Sequence, residues 1–150
     1  MSAIPALKAK LRAVAAELWP AAQTTMGPPP ADSPQDLAVI EAARAEITRP
    51  TAGGAKRSRE EAAEIDLVVS CYRPGDDEEQ QLAASAAAWA MVDQLEDWLR
   101  IRGNETLGGL CRDAWVSEYS DRDYRLTDDQ GYVIGRACDV TVTVTANTRI

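Results

Sequence analysis

A chain of 150 residues, 45% hydrophobic and 27% charged, has the balance of one folded domain around one core and not that of a disordered polymer. Its formal net charge of -8 argues against broad phosphate binding, which needs dense Lys and Arg. No apolar run approaches the roughly 20 residues that span a bilayer, and Lys8, Lys10 and Arg12 interrupt the opening apolar residues, unlike a secretory signal.

The first predicted element is a helix over residues 4–19. Ile4, Leu7, Leu11, Val14 and Leu18 recur at spacings of three and four, which lines one helix face. Ser2 is the expected N-cap, Pro5 falls in the first turn, and Pro20 ends the helix. Residues 26–36, MGPPPADSPQD, must form an extended loop, because proline neither continues a helix nor donates within a central strand.

The next segment, 37–48, reads two ways. Its Ala-rich stretch LAVIEAARAEI favours a helix by propensity, while Val39, Ala43, Ala45 and Ile47 could continue one face of a strand. Residues 49–61, RPTAGGAKRSREE, form a Gly- and charge-rich connector with no apolar anchor, and are expected to be mobile. Two strands are clearer. Over 65–72, Ile65, Leu67, Val69 and Cys71 share one face. Over 138–146 the alternation is strict, with Cys138, Val140, Val142, Val144 and Ala146 inward and Asp139, Thr141, Thr143 and Thr145 outward.

Between them runs a long helix, 78–102. Asp76, Asp77, Glu78 and Glu79 complement the dipole at its start, and Gly103 is the expected C-cap. Ala84, Ala88, Met91, Val92, Leu95, Trp98 and Leu99 form its apolar stripe. The stretch from residue 112 to the last strand reads as an antiparallel hairpin turning at Asp128-Asp129-Gln130-Gly131. The expected fold is α+β: one domain over 1–150, with an antiparallel or mixed sheet of about four strands and two helices packed on one face.

Chemistry is sparse in this sequence. Histidine is absent, which removes the usual general base at neutral pH and the commonest metal ligand. Cys71, Cys111 and Cys138 are widely spaced, without a CxxC pair, and read as buried reduced thiols. There is no P-loop and no G-x-S-x-G elbow. The acidic groups Asp76–Glu79 and Asp121, Asp123, Asp128 and Asp129 miss the calcium-loop pattern; they read as a charged helix start and a solvated hairpin tip. Neither an enzyme nor a bound cofactor or metal is expected.

Surface features remain. Lys56, Arg57 and Arg59 make a basic spot within the connector, either simply solvated or a docking arm. Leu82 and Trp89 point about 120° from the centre of the long helix's stripe, at about 100° per residue. Either the first helix covers that flank, or another subunit does, in which case Trp89 would suit an interface hot spot.

Several segments in order resemble the tail terminator, or tail completion, proteins of siphophages. They are the opening IPALKAKL helix, the Pro-rich loop, the link AGGAKRSREEAAEIDLVVSCYRPGDD, the Ala-rich helix ending WLR, LGGLCRDAWVSEY, and the final alternating strand. The resemblance spans nearly the whole chain and rests on order and length rather than on a diagnostic motif. It implies a subunit of a hexameric ring on the last ring of the tail tube, which stops tube polymerisation and presents a surface to the head-tail connector or stopper protein. It further implies that segment 39–48 is a strand, that genome DNA passes through the ring without specific recognition, and that no membrane is involved. The subunit would assemble in the host cytoplasm and end in the virion. The rival readings are another phage neck or minor tail protein, and a small monomeric or dimeric adaptor or immunity-like binding module.

Overall fold

The strict alternation at the end of the chain forms the longest strand. In the computed structural model, which describes residues 2–28, 36–47 and 60–149, the elements are α1 (Ile4–Leu18), β1 (Gln23–Met26), β2 (Leu37–Ile47), β3 (Glu60–Pro74), α2 (Glu78–Arg100), a 3-10 turn (Asn104–Thr106), β4 (Asp113–Thr127) and β5 (Val133–Arg149). The five strands make one mixed sheet in the order β1-β2-β3-β5-β4. All neighbours are antiparallel except β1 and β2, which run parallel.

One face of this sheet carries the core. Ile65, Leu67, Val69 and Cys71 of β3 are fully buried, as are Cys138, Val140, Val142, Val144 and Ala146 of β5. The period of two puts these side chains on one face, and both helices cover it. Helix α1 lies over β1 and β2 through Leu7, Leu11, Val14 and Ala15. Helix α2 lies over β3, β5 and β4 through Ala84, Ala88, Val92, Leu95 and Leu99. Met91 and Trp98, expected in that stripe, are partly buried at its margins. The opposite face is polar and internally paired: Asp66 binds Arg44 and Thr143, and Asp139 binds Tyr124 and Arg122.

Several expectations change in detail. Segment 37–47 is a strand despite its helical propensity, because β3 pairs with it along one edge, through a bulge between Ile40 and Ala43, and β1 pairs with Leu37–Ile40 on the other. The short strand β1 escapes the sequence pattern altogether. Glu60 and Glu61, placed in the connector by composition, already belong to β3. Glu61 is 1% exposed. Its carboxylate Oε1 accepts from Ser2 Oγ at 3.0 Å and from the Ala3 N–H at 3.2 Å. A carboxylate at the start of α1 complements the helix dipole. The N-cap position is Ala3, whose side chain makes no capping bond, and Ser2 acts from one residue earlier, its Oγ accepting from the Ile4 N–H at 3.1 Å. Helix α2 ends at Arg100 with Ile101 at the C-cap, and Gly103 (φ 101°) instead opens the following turn.

Candidate interaction surfaces

An active site would have to be built from the chemistry-bearing residues. Among the described residues no three of His, Cys, Asp and Glu gather to hold a metal ion. All three cysteines are free and buried. Burial is the chief force raising their thiols, with nearby carboxylates adding to it: Cys71 and Cys138 are pushed up to about 12, and Cys111 to about 11. The thiolate is the reactive form, so all three should be inert to a chromogenic disulfide reagent at pH 8 and react only on unfolding. Rapid labelling of the native protein would contradict this.

The charged groups are largely engaged in holding elements together. Arg136 and Arg125 converge on Asp76 Oδ1 at 2.8 and 2.9 Å, tying the β4–β5 hairpin to the start of α2. Their hydrogen bonds, Arg136 first, hold the Asp76 carboxyl below its ordinary range. Asp77 caps α2 by accepting from the Gln80 N–H at 2.9 Å. Arg73 pairs with Asp36 at 3.1 Å.

The two candidate residues on α2 have different fates. Leu82 is 65% exposed and faces solvent. Trp89 is half-buried, and what covers it is β4 of the same chain, not α1. Its indole Nε1–H donates to Asp121 Oδ2 at 3.1 Å, and its ring meets Tyr119 edge-on at 5.5 Å between centroids. Tyr119 in turn donates its hydroxyl to Glu96. Burial, reinforced by Glu96, pushes the Tyr119 phenol up to about 12. The bulge between Val116 and Glu118 makes this contact possible: it shifts the alternation of β4 by one, so that Tyr119 and Asp121 lie opposite Val142 and Val140 on the helix side. No periodicity in the sequence announces that shift.

Lys56, Arg57 and Arg59 lie outside the described residues, as does the expected mobility of residues 49–59. The chain leaves β2 at Ile47 and enters β3 at Glu60, and Ile47 pairs with Glu61.

Two apolar features carry no signal in the sequence. The first is the hairpin tip, where Tyr132 is 68% exposed with Val133 beside it. The tip is tightly built: Asp128 N–H donates to Tyr132 O, Asp128 Oδ1 accepts from the Gln130 and Tyr132 N–H groups, and Gly131 takes a φ of 86°. An aspartate bonding the backbone two residues on is the familiar turn chemistry of Asp, and Gly supplies the left-handed backbone. The second is a groove of about 290 Å³ between the end of α1 and the side of α2, lined by Leu18, Trp19, Ala22, Ala87 and Met91, with Asp36 and Arg73 also lining it. Trp19 is 4% exposed, and its indole N–H has no acceptor among the described residues. Pro20, expected to end the first helix, also lines this groove.

Compared with known proteins, the chain matches no protein-family model and no curated protein.

Proposed function

We propose that the chain is a structural subunit of a tailed-phage particle: a tail terminator that caps the tail tube as a homo-oligomeric ring, ends tube polymerisation and receives the head-tail connector. The observation that carries this reading is the division of labour among its side chains. Charged and polar groups such as Asp76, Arg136, Asp66 and Asp139 are engaged in intramolecular contacts, while Tyr132 and the α1–α2 groove stay open. An exposed tyrosine has an apolar body and a polar end, a combination suited to protein contact. An α+β subunit is also what the resemblance to tail terminators implies, and the negative charge suits a ring through which DNA slides without being held. No turnover, cofactor or membrane partner belongs to this reading.

Negative-stain imaging of the purified protein, alone and with tail tubes, tests it directly. Rings seated on tube ends support the terminator. Rings that bind no tube indicate another neck or minor tail protein, and a monomer or dimer indifferent to tubes indicates an adaptor or immunity-like module. The basic trio sharpens the test. A Lys56/Arg57/Arg59→Ala variant should fold normally yet co-sediment less with tubes, and wild-type binding should weaken as salt rises, because exposed charges are screened over about 8–10 Å at physiological ionic strength. Equal binding by both proteins at low and high salt would leave the connector as solvated chain only.

A further inference from the structure

The sheet ends on one flank at β4, whose outer edge has no strand partner among the described residues. Asp113–Thr127 therefore presents backbone N–H and C=O groups outward along its length, a template for another strand. Proline and lysine, which commonly blunt such edges, are absent from β4. Two of its charges stand symmetrically about Ser120. Glu118, Ser120 and Arg122 lie opposite Thr143, Thr141 and Asp139, on the face away from the helices. Glu118 is exposed and has no partner among the described residues. The Arg122 side chain is 73% exposed; it stacks on Tyr124 and stands 3.6 Å from Asp139, beyond hydrogen-bond length. Asp139 already accepts from the Tyr124 hydroxyl. Along one strand Glu118 and Arg122 are about 13 Å apart and cannot meet.

We propose that β4 pairs antiparallel with β4 of a second copy across a two-fold axis at Ser120, continuing one sheet through both copies. A two-fold axis perpendicular to the sheet keeps every side chain on its own face. Facing residues must then be an even number of positions apart, which leaves few registers. The register on Ser120 sets Glu118 of each copy opposite Arg122 of the other, with no like charges facing. Centring on Glu118, Asp121 or Arg122 sets that charge against itself, and centring on Tyr119 leaves Glu118 facing Ser120. Beyond the bulge between Val116 and Glu118 the count shifts by one. That brings Trp115, opposite Thr145 and 41% exposed, to face Tyr124 of the second copy. Aromatic pairs of this kind strengthen strand pairing. Helix α2 lies mainly over β3 and β5, which leaves space beside β4 for the second copy's helix.

An unrelated strand would leave Glu118 and Arg122 facing no opposite charge, so the edge favours its own reversed sequence. The contact is isologous and closes after two copies. It goes beyond the ring reading and does not rest on it, because a closed pair describes the free subunit rather than the ring.

Sedimentation velocity over a concentration series tests it with wild type, Glu118→Arg and Arg122→Glu, each checked for native circular dichroism. Wild type should form a dimer. Each variant alone should associate about tenfold or more weakly, because its facing pair becomes repulsive and the axis repeats that pair. An equimolar mixture of the two should dimerise again, since both facing pairs are then opposite in charge. Independently, Ser120→Cys should give a dimer with a short bis-maleimide cross-linker, the three native cysteines being buried. Thr127→Cys, about 45 Å from its copy in this register, should not. A wild type monomeric at every concentration overturns the contact, and so does a mixture that stays apart with both variants folded. Charge-reversed variants that associate as tightly as wild type, or cross-linking through Thr127→Cys, overturn it as well. Rings that do not cross-link through Ser120→Cys overturn this contact while leaving the ring reading intact. A cross-linked dimer that never seats on tail tubes supports the contact and counts against the ring.

Discussion

Leu95→Ala is expected to be among the most damaging single substitutions in this chain, lowering the unfolding free energy by about 2–5 kcal/mol. Leu95 is fully buried on the inner face of α2, in the same cluster as Val92, Val142 and Val144. Truncation removes apolar contact and leaves a cavity that the paired strands beneath cannot collapse to fill, because their backbone hydrogen bonds fix their positions. Leu82→Ala, on the outer face of the same helix, should change stability by less than about 0.5 kcal/mol. Urea denaturation of the two variants provides the comparison. Similar midpoints would mean that α2 does not pack as described.

The second large effect is expected from Gly135→Ala, at about 1–3 kcal/mol and towards the upper end of what overpacking costs. Gly135 lies in β5 opposite Pro74 and Leu126. A Cβ there would sit 2.2 Å from Cε2 of Tyr72 and 2.5 Å from the Arg73 carbonyl oxygen. The Tyr72 ring crosses the strand at this point, and its hydroxyl donates to the Ile134 carbonyl at 2.8 Å. Alanine would push the ring aside and break that bond. The backbone oxygen, held in the β3–β5 ladder, has less room to yield. A denaturation midpoint unchanged from wild type would sink this reading. A loss of near-ultraviolet dichroism with far-ultraviolet signal retained would show that the damage is confined to packing around Tyr72.

These two residues also differ in how far the sequence announced them. Leu95 was legible: it falls on a stripe of period 3.6 with Ala84, Ala88, Val92 and Leu99, and that stripe is the buried face. The inward set of β5 was legible for the same kind of reason, since a strict period of two leaves one face for the core. Gly135 gave no such signal. Its constraint comes from Tyr72, which is distant in the chain and becomes its neighbour only through strand pairing.

The same division runs through the candidate surfaces. The acidic start of α2 and the turn at residues 128–131 follow from local chemistry, the dipole and the aspartate turn, whereas Leu82, expected under a cover, is exposed. The cover over Trp89 does not, because it depends on a single-residue bulge in β4 that moves Tyr119 and Asp121 to the helix side. Nor does β2. Its Ala-rich stretch has no intrinsic reason to extend, and it becomes a strand because β3 offers hydrogen bonds along one edge, with β1 adding them on the other edge at Leu37–Ile40. By itself the sequence determined the helices, the alternating strands and the lack of a histidine-based site, since each rests on residue type or short-range period. Only the tertiary structure decided which strands lie side by side, how Glu61 comes to cap α1, and that the end of α1 meets α2 around a groove with Arg73 at its rim. Those are relations between residues far apart in the chain, fixed by pairing and packing that no local pattern encodes.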